Sequence, residues 1–347
     1  MHWGRNCWQK MFCGHLKNTY SEERIKDMDG KKTNFLKSAW KAKEMGILLI
    51  LVLLSVLIQM KNPIFFTFSN LMDIGRNTSY TLIIAIGMTF VLIAKGLDLS
   101  VGSLLAICGL ISALAMQNGL PVIISVLLGL AAGAVLGLFN AMCIVKLKIP
   151  AMIATLGTMY MARGLVLVIT KGQAVYPLPD SFSEFGKGSL LGIPNVVLLA
   201  VGLAVIAHVV LTKTTYGRKV YAIGGNAETA GFAGINVAGI TASVYVLSGV
   251  MAALSGIMTA ARMGSGQPSV GDGTEMTVIT AVIIGGTSLN GGAGTMLGTV
   301  LGALLMNVLS SGMNLVGVSA YWQKFVMGLI IIVAVGLDQY QRSKRRS

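Results

Sequence analysis

Thr215-Tyr-Gly-Arg-Lys-Val-Tyr-Ala-Ile-Gly-Gly-Asn-Ala-Glu-Thr-Ala-Gly-Phe-Ala-Gly-Ile-Asn-Val237 is a polar, glycine-rich stretch between two blocks of apolar sequence. Those blocks are long enough to cross a bilayer, so the stretch reads as a compact loop in water on one membrane face. Connections inside compact domains typically run to ~4 to 6 residues, and this one is several times longer. Tyr216 to Gly234 reads as two short helical pieces parted at Gly224-Gly225. Asn226 suits the N-cap of the second piece, and Glu228 in its first turn complements the helix dipole. A stiff loop of this kind suits a docking partner; the alternative is a segment packed only against its own protein.

Composition supports the membrane reading. Hydrophobic residues make up 54% of the chain, charged residues only 12%, and the mean hydropathy is +0.75. Soluble domains carry about a quarter charged residues. The chain's 347 residues leave room for roughly eight to eleven spans of about 20 residues. Its 43 glycines suit close helix packing and broken helices. The expected fold is an all-α polytopic membrane protein with about ten transmembrane helices and both termini cytoplasmic. Residues 1–44 read as a basic cytoplasmic segment, 45–338 as the transmembrane domain and 339–347 as a basic tail.

The expected spans are Gly46–Gln59, Tyr80–Ala94, Val101–Met116, Val122–Val145, Ala151–Ile169, Asn195–Leu211, Ala238–Ala261, Met276–Ile284, Thr295–Val308 and Tyr321–Leu337. Thr170–Pro194 and Gly264–Glu275 read as outer loops. Ten Lys and Arg precede the first apolar run, and this topology puts Lys95, Lys146, Lys148, Lys213, Arg218, Lys219 and four tail residues on their side, 20 of 27 in all. Cytoplasmic loops carry such an excess. The net charge of +14 therefore reports orientation, and nucleic acid is not an expected partner; membrane lipid is. Met28 reads as a plausible start, with residues 1–27 either a dispensable extension or the product of a misassigned start. Cys108 and Cys143 read as small core residues, and Cys7 and Cys13 fit no metal-site spacing, so no metal site is expected.

No Gly-x-x-x-x-Gly-Lys-Ser/Thr loop is present, and Gly224-Gly225-Asn226 lacks the lysine of a phosphate cradle. Acids near the apolar spans are confined to Asp73, Asp98 and Glu275, a poor set of relays for an ion-coupled carrier. A conduit moved by a separate motor fits better, and no catalytic residue is expected in it. Asp98 has two readings: a contact for solute hydroxyls at a helix break, or an N-cap with Ser100 for the third span. Ser100, Asn140, Thr155, Thr287, Ser288 and Asn290 are candidates for a polar route or, alternatively, for interhelical hydrogen bonds. Arg163 should face protein or water, with backbone carbonyls its simplest partners. Val91–Ser103 and Val282–Ala293 echo one another as apolar run, glycine-rich polar break and apolar helix, although composition alone also produces such echoes.

Gly96-Leu-Asp-Leu-Ser-Val-Gly-Ser103, Ile149-Pro-Ala-Met-Ile-Ala-Thr-Leu-Gly-Thr158 with Ala162-Arg-Gly164, Tyr216-Gly-Arg-Lys-Val-Tyr-Ala-Ile-Gly-Gly-Asn226 and Gly285-Gly-Thr-Ser-Leu-Asn-Gly-Gly292 closely resemble the permease subunits of ABC sugar importers of the ribose, xylose and galactose type. The resemblance covers about Gly46 to Leu337. It implies a multi-pass permease of the cytoplasmic (inner) membrane, importing a ribose-like monosaccharide by alternating access. A sugar-like signal or a nucleoside is the alternative solute, and a self-sufficient secondary transporter the more distant rival. The implied partners are ABC ATPase subunits, an extracytoplasmic sugar-binding protein and a second permease copy. ATP and Mg would bind the ATPase, with no cofactor on this chain. The ATPase contact is implied at Tyr216, Gly217, Arg218, Gly224, Gly225, Asn226, Glu228 and Ala230. Gly273-Thr-Glu-Met-Thr277 departs from the family pattern, which places an acid where Thr277 stands, so no role for that acid carries over.

Overall fold

The computed structural model describes residues 44–346, with side chains described as far as 336. The basic segment, Met28, Cys7 and Cys13 fall outside the described residues. Among the described residues, seven helices are long and apolar enough to cross a membrane: α1 (Glu44–Lys61), α2 (Phe68–Ile93), α4 (Val122–Val145), α5 (Ala151–Thr170), α7 (Asn195–Lys213), α10 (Val237–Met263) and α12 (Met296–Leu315). Three shorter apolar helices accompany them: α3 (Val101–Gln117), α11 (Thr274–Ile284) and the first part of α13 (Ala320–Arg346). The chain is thus an all-α, multi-pass membrane protein.

α10 lies at the centre, against α2, α3 and α4. Glycines set those approaches: a Cβ on Gly133 of α4 would come 2.5 Å from the Gly249 carbonyl oxygen, and one on Gly109 of α3 2.8 Å from that of Gly256. Small residues let backbones close up where the solvent is lipid and apolar burial no longer drives association. α2 is buried on every side from Ser79 to Ile93 apart from Tyr80, as an all-apolar core helix should be.

The apolar run at Tyr80 is only the inner part of α2, which starts at Phe68 behind a Thr67 cap that accepts from the Asn70 amide at 3.4 Å. Its first turns carry Asn70, Asp73, Arg76 and Asn77, which hide the helix from hydropathy. Asp73 and Arg76, one turn apart, pair at 3.3 Å. The stretch 170–194 is likewise more than a loop. It holds α6 (Asp180–Lys187) and a two-strand hairpin, β1 (Ser189–Leu190) with β2 (Ile193–Pro194).

α11 covers only about 16 Å at 1.5 Å per residue, half of the ~30 Å hydrocarbon layer. The connection before it makes up the difference by folding inward. Gly266 pairs with Val175 through both backbone amides at 2.9 Å, and Gly271 lies so close to the Gly102 carbonyl of α3 that no Cβ would fit. Arg163 holds this connection, its Nη1 donating to the Pro268 and Val270 carbonyls at 3.0 and 2.9 Å. The embedded guanidinium is answered by protein backbone.

Candidate functional site

Three polar regions interrupt the apolar bundle. The first surrounds Asp98, in the break between α2 and α3, with no exposed surface. Its Oδ1 accepts from the Ser100 amide at 3.0 Å and from Ser100 Oγ at 2.5 Å, and its Oδ2 from Ser248 Oγ of α10 at 2.7 Å. Ser100 Oγ accepts from Asn140 Nδ2 of α4 at 2.9 Å, and Asn140 Oδ1 from Thr158 Oγ1 of α5 at 2.6 Å. Thr155 donates to the Ala151 carbonyl of its own helix at 2.9 Å and reaches the Leu97 carbonyl of the break at 3.4 Å. Four of the candidate polar residues, Asp98, Ser100, Asn140 and Thr155, therefore gather here, all fully buried. The carboxylate precedes α3 and bridges to the amide two residues on, an Asx-type turn, while Ser100 occupies the cap position without a side-chain capping bond.

The second region is the break between α11 and α12, which carries Thr287, Ser288 and Asn290. Ser288 Oγ accepts from the Asn290 amide at 3.0 Å, closing a tight turn, and Thr287 and Ser288 are buried. This break does not join the Asp98 network; it meets the end of α2, where the Gly292 amide donates to the Ile93 carbonyl at 2.9 Å. The echoing breaks thus touch, and both touch α8 (Thr215–Gly225). A Cβ on Gly224 would overlap the Ile93 carbonyl and come 2.5 Å from the Gly292 amide. Tyr221 Oη donates to the Gly294 carbonyl at 2.7 Å, and Tyr216 Oη bonds Ser243 Oγ at 2.8 Å. Burial raises both phenols above the usual tyrosine range, with the Ser243 bond opposing at Tyr216, so both stay neutral and keep their bonds.

α8 and α9 (Ala227–Phe232) are the two expected helical pieces, parted after Gly225. Thr214 caps α8 by accepting from the Gly217 amide at 3.2 Å, and Asn226 caps α9 by accepting from the Thr229 amide at 2.9 Å. Gly217, Val220, Ile223 and Gly224 face inward, and Arg218, Lys219, Asn226 and Glu228 are exposed; on α9, Ala230 is buried. Phe232 is 85% exposed, a large aromatic left open on the surface of the described residues. Only its position in the loop signalled it, and sequence reasoning passed it over.

The third region was not anticipated. A cavity of about 550 Å³ opens between α2, α3, α10, α12 and the infolded connection before α11. Asn77 and Tyr80 of α2, Thr259 and Arg262 of α10, Thr274 and Asn307 line it, over apolar walls from Ile84 and Leu105. Arg262 is its sole charged lining residue. The guanidinium donates to Asn77 Oδ1 at 2.8 Å and lies over the Tyr80 ring, 5.7 Å from its centre. None of the residues expected to form a polar route lines this cavity. Among the described residues, no group of His, Cys, Asp or Glu is arranged to hold a metal.

A polar cavity at one end of a membrane bundle, with a capped helix pair at the other end braced on two helix breaks, is the architecture of a transport permease. The chain belongs to the family described as "Branched-chain amino acid transport system / permease component", whose model matches residues 70–335. It is 37% identical to the ribose import permease protein of Haemophilus influenzae over 92% of this chain and 99% of that protein. It is 39% identical to the ribose import permease protein of Escherichia coli K12 over 88% and 96%. The L-arabinose transport system permease protein of E. coli K12 is 38% identical over 87% and 92%. No solved structure matches it.

Proposed function

We propose that this chain is the membrane-spanning subunit of an ATP-driven importer in the cytoplasmic (inner) membrane, moving a ribose-like monosaccharide inward by alternating access. The observation that carries this reading is the bracing of α8. One short helix, with Arg218 and Lys219 exposed on the basic face, touches the end of α2 and the break before α12 through Gly224, Tyr221 and Gly292. A partner pressing on α8 and α9 would move both breaks together, and interfaces packed this tightly switch between discrete arrangements rather than deforming smoothly. Arg218, Glu228 and Phe232 are the contacts offered to an ATPase subunit, which would hold ATP and Mg; this chain would perform no covalent chemistry.

The cavity around Arg262 supports a polyhydroxylated solute. Asn77, Tyr80, Thr81, Thr259, Thr274 and Asn307 offer hydrogen bonds beside apolar walls from Ile84, Leu105 and Val270. Contacts there should be weak, because a conduit must release what it admits; selectivity would rest with an exported sugar-binding protein, and a second copy of this chain would complete the pathway. Ribose uptake into proteoliposomes containing the chain, its ATPase and the binding protein tests the reading. Uptake that needs internal or external ATP on the ATPase side supports it. Ribose uptake by the chain alone under an ion gradient overturns it.

A further inference from the structure

We infer that the chain binds one anionic phospholipid of the basic-face leaflet in a groove between α7 and α10, beneath the coupling helix α8. The groove encloses about 430 Å³ and is floored by Ile86 and Phe90 of α2. α7 and α10 both lie against α2 but leave this space between them. Leu203, Ile206 and Val210 line one wall, spaced three and four residues apart so that they share one helix face. Ser243, Leu247 and Val250 line the other with the same spacing, and Tyr216 closes the end.

The only hydroxyls in the lining belong to Tyr216 and Ser243. They bond each other at 2.8 Å, and Ser243 donates on to the Ile240 carbonyl at 2.8 Å. That leaves no unmet demand for water or for a sugar, and the groove suits hydrocarbon. It faces the bilayer, since Ile206 is 61% exposed. Leu203 to Val210 spans about 10 Å at 1.5 Å per residue, within the ~15 Å depth of one leaflet.

Charge selects the occupant. The next step of the α7 stripe after Val210 is Lys213, exposed in the last turn of the helix, and Arg218 and Lys219 are exposed on the adjoining α8. An acyl chain lying in the groove would bring its phosphate to this end, where a basic side chain favours an anionic headgroup over a zwitterionic one by about fivefold. The lipid would fill the space behind Tyr216 and hold α8 against α10. This inference is independent of which solute the protein moves.

Native mass spectrometry of the whole chain released from nanodiscs of equal phosphatidylglycerol and phosphatidylcholine tests it. Wild type should retain one phosphatidylglycerol in about fivefold preference. Lys213→Gln, on an exposed residue, should lower that preference. Leu247→Trp, filling the groove, should abolish retention with an unchanged melting temperature. Equal retention of the two lipids by wild type, or undiminished preference in Lys213→Gln, overturns the proposal. So does an Ile206→Cys variant that forms a disulfide between two copies, which would make a second chain the occupant.

Discussion

The Asp98 network and the Arg262 cavity are made of the same kinds of residue and sit in the same bundle, yet their polar atoms face different things. Around Asp98, both carboxylate oxygens, the Ser100 hydroxyl and both ends of the Asn140 amide meet protein partners within 3.0 Å, and all these residues are fully buried. Around Arg262, the guanidinium, Asn77, Thr274 and Asn307 border about 550 Å³ of space. In a low-dielectric interior a fully satisfied network stiffens what it joins, and a partly satisfied one is costly unless something else fills it. The Asp98 cluster accordingly ties α3, α4, α5 and α10 together, and the Arg262 cluster is where a solute can supply the missing partners.

The sharpest way to break this contrast is Asp98→Ala. It strands the Ser100 amide, the Ser100 hydroxyl and the Ser248 hydroxyl in a dry interior, and unsatisfied buried donors at about 1 to 3 kcal/mol each make a loss of about 4 kcal/mol. Thermal unfolding in detergent should show a large loss of stability and little folded protein. An Asp98→Ala protein that melts like wild type and loses only uptake would move Asp98 into the solute path. Asn140→Ala comes next. It removes the bonds to Ser100 and Thr158, about 2 kcal/mol for two buried hydrogen bonds, and the same melting assay should register roughly half the Asp98 effect.

Much of the local structure was legible in the sequence, because caps are local chemistry. Asn226 before Ala-Glu and the Gly224-Gly225 pair pointed to α8 and α9 to within a residue or two, and α3 to α5 begin where their flanking Ser100, Pro121 and Pro150 say they should. Arg163 was assigned carbonyl partners from the cost of an embedded charge, and it has them. Other elements were harder to read. α2 was cut short because Asn70, Asp73, Arg76 and Asn77 lower the hydropathy of a helix that is stabilised by packing rather than by apolar composition. α6 did carry helix signals, Pro179 before Asp180 and Lys187 in the last turn, but Pro177 and Pro179 read as a loop. The cavity left no local trace: Asn77, Arg262, Thr274 and Asn307 are far apart in sequence, and only the helix packing brings them to one space.

Arg262→Gln sharpens the contrast from the cavity side. The guanidinium bonds Asn77 across the cavity at 2.8 Å, and loss of one charge-assisted contact of ~1.5 kcal/mol should lower sugar uptake about tenfold. Stability should hold, because water or the solute answers Asn77 once the guanidinium is gone. An Arg262→Gln protein that unfolds early would make this bond a structural tie of the same kind as the Asp98 network.

The smallest effect belongs to Asn307→Ala, and it is the closest control for Asn140→Ala. Both are asparagines on membrane helices, and hydropathy treats them alike. Asn140 has no exposed surface and bonds two other segments. Asn307 lines the cavity, and its amide donates 2.8 Å to the Ala303 carbonyl one turn back on its own helix. That bond ties no helices together, so its loss should change the melting temperature little. A single weak solute contact of ~0.5 kcal/mol is about a twofold change, so half-saturation for uptake should rise about twofold while the maximal rate holds. Equal melting losses in the two alanine variants would show that open space, the property separating the two clusters, does not decide what an asparagine on these helices does.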